Sequence, residues 1–145
     1  MMGYVFDWLA KMYAALSAAS NPLETGKLVL LGQPLTYTGN EAAGDITKPN
    51  FTGYADYTIS AFVAAIDSNG VPYLSVAPHV FSPTNGTNLP QYIYGAAILD
   101  TDGDLVLLNN WATPLQLSRA GQQLHVSPKV KLAPTIQVEI EAYVE

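Results

Sequence analysis

Two histidines, three aspartates and two glutamates are the residues of this chain whose types and spacing could do chemistry. His79 lies in SVAPHVFS and His125 in QQLHVSPKVKL. A Ser-His-acid hydrolase would need one of them beside a nucleophile, and no serine stands in a G-x-S-x-G setting. His125 falls on the polar side of an alternating run and His79 between a proline and a loop, so both read as ordinary imidazoles. Asp100, Asp102 and Asp104 in DTDGDLV have the look of a calcium loop. An EF-hand needs glycine sixth and glutamate twelfth; here Gly103 is fourth and Trp111 twelfth. The three aspartates are the only candidate metal ligands, in a segment that an Asp-Gly hairpin turn explains without metal. Glu139 and Glu141, two apart on a strand, face the same way as a pair of carboxylates. With Gln137 and Tyr143 beside them they describe a wet strand face. No catalytic residue and no cofactor is expected, and the chain does not read as an enzyme.

The elements that position these residues are mostly strands. KLVLLGQPLTYT reads as a strand, a kink at Gly32 to Pro34 and a continuation, and GYADYTISAFVAAID as one long strand ending at the turn Ser68-Asn69-Gly70. VPYLSVAPHVFS follows, then the loop PTNGTNLPQ, then YIYGAAILD and LVLLNNWA around the TDGD turn. In QQLHVSPKVKL the residues Leu124, Val126, Val130 and Leu132 share one face. In TIQVEIEAYVE Ile136, Val138 and Ile140 point inward and Gln137, Glu139 and Glu141 outward. Short strands at such intervals, with ten prolines and eleven glycines for turns and edges, predict an all-β fold. The expected form is an antiparallel β-sandwich, jelly-roll or Ig-like, of about seven to nine strands.

One segment differs. Over residues 3–20, Val5, Trp8, Leu9, Met12 and Leu16 recur at three- and four-residue spacing until Asn21-Pro22 stops the pattern. This predicts one N-terminal amphipathic helix, whose stripe is the candidate interaction surface. The division is then residues 1–25, helix and linker, and residues 26–145, the sandwich. The segment lacks a basic leader region, and Asp7 and Lys11 interrupt its apolar run, so it reads as part of the mature soluble protein.

Composition narrows the partners. Half of the 145 residues are hydrophobic (49%) and only 12% charged, so much of the surface is built of uncharged polar groups, as in proteins that end against other subunits. A net charge of −6 with six scattered basic residues disfavours nucleic acid and anionic membrane alike. Without cysteine there is no thiol chemistry, disulfide or Cys-based zinc site.

Three blocks, taken in order, carry a resemblance: NFTGYADYTIS, YIYGAAILDTDGDLVLLNNW and PLQLSRAGQQLHVSPKVKL. They resemble small β-rich virion structural proteins of tailed bacteriophages and related environmental viruses, with an F-x-G-Y-A segment, a Y-G-x-x-L-x-D-x-x-G-x-L hairpin, a P-x-x-L step and a G-x-x-L-x-V-x-P strand. The matching positions are Phe51, Gly53, Tyr54 and Ala55; Tyr94, Gly95, Leu99, Asp100, Gly103 and Leu105; Pro114 and Leu117; and Gly121, Leu124, Val126 and Pro128. The likeness spans residues 27–132. It departs from the pattern in the N-terminal helix, in Ala96 where an aromatic is frequent, and in an added C-terminal strand.

The resemblance implies a non-enzymatic part of a virion: a minor capsid, decoration or cement protein on a phage capsid. Its partners would be the major capsid or neighbouring virion proteins and further copies of itself. The alternative is a receptor- or glycan-binding module of a fibre or spike, suggested by nine tyrosines and the polar loop from Pro83 to Gln91. The F-x-G-Y-A segment carries no reactive group, so it is expected to be architecture, with Phe51 and Tyr54 anchoring a strand and Gly53 allowing an irregular backbone.

Overall fold

The computed structural model describes residues 4–5, 26–36, 41–60, 63–131 and 137–145. In chain order the strands are β1 (Tyr4–Val5), β2 (Lys27–Leu31), β3 (Tyr57–Thr58), β4 (Val63–Ile66), β5 (Pro72–Ser75), β6 (His79–Phe81), β7 (Gln91–Leu99), β8 (Leu105–Leu117), β9 (Leu124–Lys131) and β10 (Gln137–Val144). They form two antiparallel sheets. One has the order β1-β8-β7-β2-β3; the other runs β10-β9-β5-β4, with β6 also pairing β9. The all-β expectation therefore holds, with ten described strands, two of them only two residues long.

The main core draws on both sheets. Leu28, Leu30, Ile98 and Leu107 from the first pack with Leu74, Val126, Val130, Val138 and Ile140 from the second. A smaller cluster, Val29, Leu31, Ala97, Leu99, Leu105 and Leu108, occupies the opposite face of the first sheet beneath Leu35, Ala43, Ile46 and Tyr94. Strand β2 is thus buried on both faces, which is why KLVLL is a continuous apolar run rather than an alternating one. In β9 and β10 alternation persists: Leu124, Val126, Val130, Val138 and Ile140 are buried, while Glu141 and Tyr143 are exposed. Ile136 and Leu132 lie outside the described residues.

Three expectations need correction. Tyr4–Val5, placed at the start of a helix by the sequence pattern, forms β1 against Leu108 and Leu107 of β8. An aromatic and a β-branched residue fit a ladder well, and pairing to a long strand outweighs a helical period. The rest of the predicted helix, with Trp8, Leu9, Met12 and Leu16, lies outside the described residues. The run GYADYTISAFVAAID is not one strand: Tyr57–Thr58 pairs with β2 in the first sheet and Val63–Ile66 with β5 in the second. The segment crosses from one sheet to the other with Ile59 buried on the way, whereas Val63 and Ile66 at its far end are exposed. Beyond the kink at Gly32, residues 34–36 do not continue as a strand.

Proline inside β9 is explained by a gap on one side. Ser75 of β5 pairs with Lys129, and β6 resumes the pairing at Val126, so Pro128 sits where neither strand requires an N–H. Its carbonyl still accepts from Val76 N–H at 3.1 Å.

Candidate functional site

The F-x-G-Y-A segment is an aromatic junction. Tyr54 lies 5.6 Å from the Phe51 ring and 5.9 Å from Phe81, centroid to centroid. Its hydroxyl accepts from Leu30 N–H at 3.0 Å and donates to Asp56 at 2.8 Å, while Asp56 also takes Lys48 at 2.6 Å. Burial, with the Asp56 carboxylate beside it, pushes the Tyr54 phenol well above its ordinary range, so it stays a neutral donor. Gly53 has φ of 95°, and a Cβ there would stand 2.7 Å from Thr84 Cγ2. The segment fastens β2 to the loop after β6, as its lack of reactive groups suggested.

The aspartates form a hairpin staple. Asp100 is buried, and its Oδ1 accepts from the N–H groups of Asp102 and Asp104, both at 2.9 Å. The turn closes through Gly103 N–H to Asp100 O at 3.0 Å and Asp100 N–H to Asp104 O at 2.9 Å, with Gly103 at φ 86°. Carboxylate oxygens of the three residues lie within 4.8 Å of one another. Since Asp100 already spends an oxygen on two backbone donors, the hairpin is complete by turn chemistry. Adding a calcium chelator is expected to leave the melting temperature unchanged, read by circular dichroism; a clear drop would mean that an ion carries part of the stability.

The histidines sit in stacks. His79 lies flat against Tyr57, 3.9 Å and 9° apart, with Phe81 edge-on at 4.7 Å. Removal from water lowers its pKa, because the charged form loses hydration. A folded pKa below the unfolded one means that the unfolded chain binds the extra proton first, so this contribution is complete above about pH 6.5 and is lost as pH falls from there through the lower folded pKa. Melting temperatures across pH 7.5 to 5 should fall more for the wild type than for His79→Phe; parallel curves would show that His79 contributes nothing. His125 stacks on Tyr143 at 4.5 Å and 3°, with Nε2 2.9 Å from Glu145. Neither imidazole is joined to a serine hydroxyl by the hydrogen bonds of the described residues.

Glu139 and Glu141 have a less expected setting. Two steps along β7, from Ile93 to Gly95, face five along β8, from Leu115 to Asn110. The surplus residues rise out of the ladder beside β10 as a bulge containing Trp111, Ala112, Thr113 and Pro114. Between this bulge and β10 lies an open groove of about 530 Å³, lined by Trp111, Thr113, Leu115, Glu139, Glu141 and Tyr143 among others. The bulge also bolts the sheets together. Trp111 Nε1 donates to Ile140 O at 2.7 Å, and Asn109 Oδ1 accepts from Ile140 N–H at 2.9 Å. A solvated strand face was the sequence reading; a wall beside it could not be foreseen without the pairing shift. Both carboxylates belong to one strand and stand on one wall, whereas glycoside hydrolysis needs them on opposite sides of the scissile bond. In this groove Glu139 and Glu141 therefore do not face each other across a substrate position.

No protein-family model, no curated protein and no solved structure matches this chain.

Proposed function

We propose that the protein is a non-enzymatic virion structural protein, a minor capsid, decoration or cement protein that adds contacts between neighbouring subunits of a phage capsid. The two sheets would be those of a jelly-roll or Ig-like sandwich, and Trp8, Leu9, Met12 and Leu16 would supply a further contact stripe. What carries the reading is the distribution of exposed apolar side chains. Val63 (58% exposed) and Ile66 (71%) lie on the edge strand β4, and Val80 of β6 and Tyr143 of β10 both stand opposite His125 and so share one outer face of the second sheet. An uncharged apolar edge beside such a face suits contact with neighbouring subunits. The segments that carry the phage resemblance support it too, since the described ones serve packing and turns. Repetition over a shell makes even a small apolar clip count. Particles lacking the protein should lose heat or osmotic resistance, and immunogold labelling should decorate intact virions; unlabelled particles of unchanged resistance would sink the proposal.

The groove favours a second reading, a glycan-binding module. Carboxylates accept from paired sugar hydroxyls, aromatic rings offer stacking surface, and the groove volume falls within the roughly 300–1,000 Å³ of ordinary ligand pockets. A glycan array probed with the wild type and with Glu141→Gln should separate them: specific signals lost in the variant support this reading, and a blank array removes it.

A further inference from the structure

The end strand of the second sheet, β4, has an edge that no other described strand pairs with. Val63 and Ile66 are 58% and 71% exposed, and among the described residues β4 pairs with β5 alone. Natural sheets protect such edges with charge, proline or a bulge, and VAAI contains none of these. The opposite end strand, β10, carries Glu139 and Glu141 and is partly closed by Asn109 and Trp111. On a chain of net charge −6, β10 would set like charges against each other if two copies met there, and β4 would not.

We infer that β4 pairs with β4 of a second copy of this chain, antiparallel and two-fold, joining the two sheets into one. This rests on the reading of the protein as a subunit-contact part and names one of its partners.

The register follows from the ladder. Asp67 N–H donates to Val71 O at 3.0 Å, which makes that pair hydrogen-bonded. By alternation the Ala65/Tyr73 and Val63/Ser75 pairs are hydrogen-bonded too, so the main-chain groups of Ala64 and Ile66 turn away from β5 toward the open edge. An antiparallel partner must oppose outward-turned residues to outward-turned residues. The two-fold arrangement that uses both sets Ala64 opposite Ile66 of the second copy and centres the pair on Ala65 facing Ala65. Val63 then comes opposite Asp67 of the second copy, and the two Asp67 residues lie about 13 Å apart along the strands, beyond the usual screening distance. Each Asp67 carboxylate is held in its own turn by the N–H groups of Asn69 and Val71. Four main-chain hydrogen bonds and a small apolar area make a weak pair, well below the roughly 1,000 Å² of a stable interface, so it forms at high protein concentration or on an assembly that holds many copies.

The chain has no cysteine, which makes the test clean. The central pair is a non-hydrogen-bonded one, with Cα atoms about 4.5 Å apart, inside the span that a disulfide bridges. Ala65→Cys under mild oxidation should therefore give covalent dimers about tenfold faster or more than Ser68→Cys in the exposed turn, because the pairing raises the local thiol concentration. Adding Ile66→Lys to Ala65→Cys should abolish the advantage while leaving the melting transition intact. Equal rates for the two cysteine variants, or cross-linking that Ile66→Lys does not slow, would overturn the inference. The structural reading is judged separately: labelled virions without cross-linking leave it standing and remove the β4 pair, and cross-linking without label does the reverse.

Discussion

Replacing Gly95 with alanine should destabilise the protein by an amount at the upper end of the about 1–3 kcal/mol typical of overpacking, or more, and lower the melting temperature sharply. A Cβ at this position would stand 2.2 Å from Asn109 O and 2.9 Å from Asn110 Cα. Both are backbone atoms, so no side chain can swing away to make room. Gly95 sits in the middle of β7, paired with Leu31 on one side and with Asn110 on the other, and it is fully enclosed. Relief would require moving β8 away from β7 at the point where the bulge begins. That point also aims Asn109 and Trp111 at β10, so the strain would spread to the contact between sheets. Chemical denaturation of Gly95→Ala beside Gly44→Ala gives the measurement, since a Cβ at Gly44 meets nothing within 4 Å. Equal midpoints for the two variants would show that the close approach at Gly95 carries no cost.

Gly95 also marks where reading the sequence stops. Strand identity was legible wherever the period was clear: in β9 and β10 the described inward residues, Leu124, Val126, Val130, Val138 and Ile140, are buried, and the TDGD turn closes as its chemistry requires. In YIYGAAILD and LVLLNNWATPL the same rules see two strands and a hairpin. They do not see that β8 carries surplus residues, because a bulge is defined by register against a partner, and register is a tertiary property. The signal was present in Gly95 itself, a glycine inside an apolar strand, which marks close backbone approach. Read that way, the glycine would have pointed to an irregularity in the β7–β8 pairing, but not to the wall that it builds beside Glu139 and Glu141. The split of residues 57–66 between two sheets was hidden for a similar reason: Tyr57–Thr58 and Val63–Ile66 both read as strand, and the partner of each is decided by register in the folded chain.

Asn109→Ala should cost about 1–3 kcal/mol, the penalty for leaving a buried donor without a partner. Asn109 is 2% exposed and Ile140 also 2%, so the Ile140 N–H is shielded from bulk water and loses its acceptor when the amide is removed. The same side chain donates its Nδ2 to Asn110 O at 3.0 Å, which holds the oxygen toward β10. Trp111→Phe removes the matching donor from Ile140 O and keeps most of the ring, so it should cost about 0.5–1.5 kcal/mol, less than Asn109→Ala. The two side chains grip the N–H and C=O of one residue, and loss of either lets β10 draw back from β8 and weakens the other bond. The double variant should therefore lose less than the sum of the single ones, with a coupling of roughly 0.5–3 kcal/mol in a denaturation cycle. Strict additivity would show that the two bonds act independently and that the bulge does not clamp the sheets as one unit. The coupling also bears on the groove, whose floor includes Asn109 and Ile140. If the clamp holds the groove open, amide exchange at Glu141 and Tyr143, whose N–H groups face β9, should speed up in Asn109→Ala well before the global unfolding limit is reached, whereas exchange in β2, an interior strand of the other sheet, should change only as global stability does.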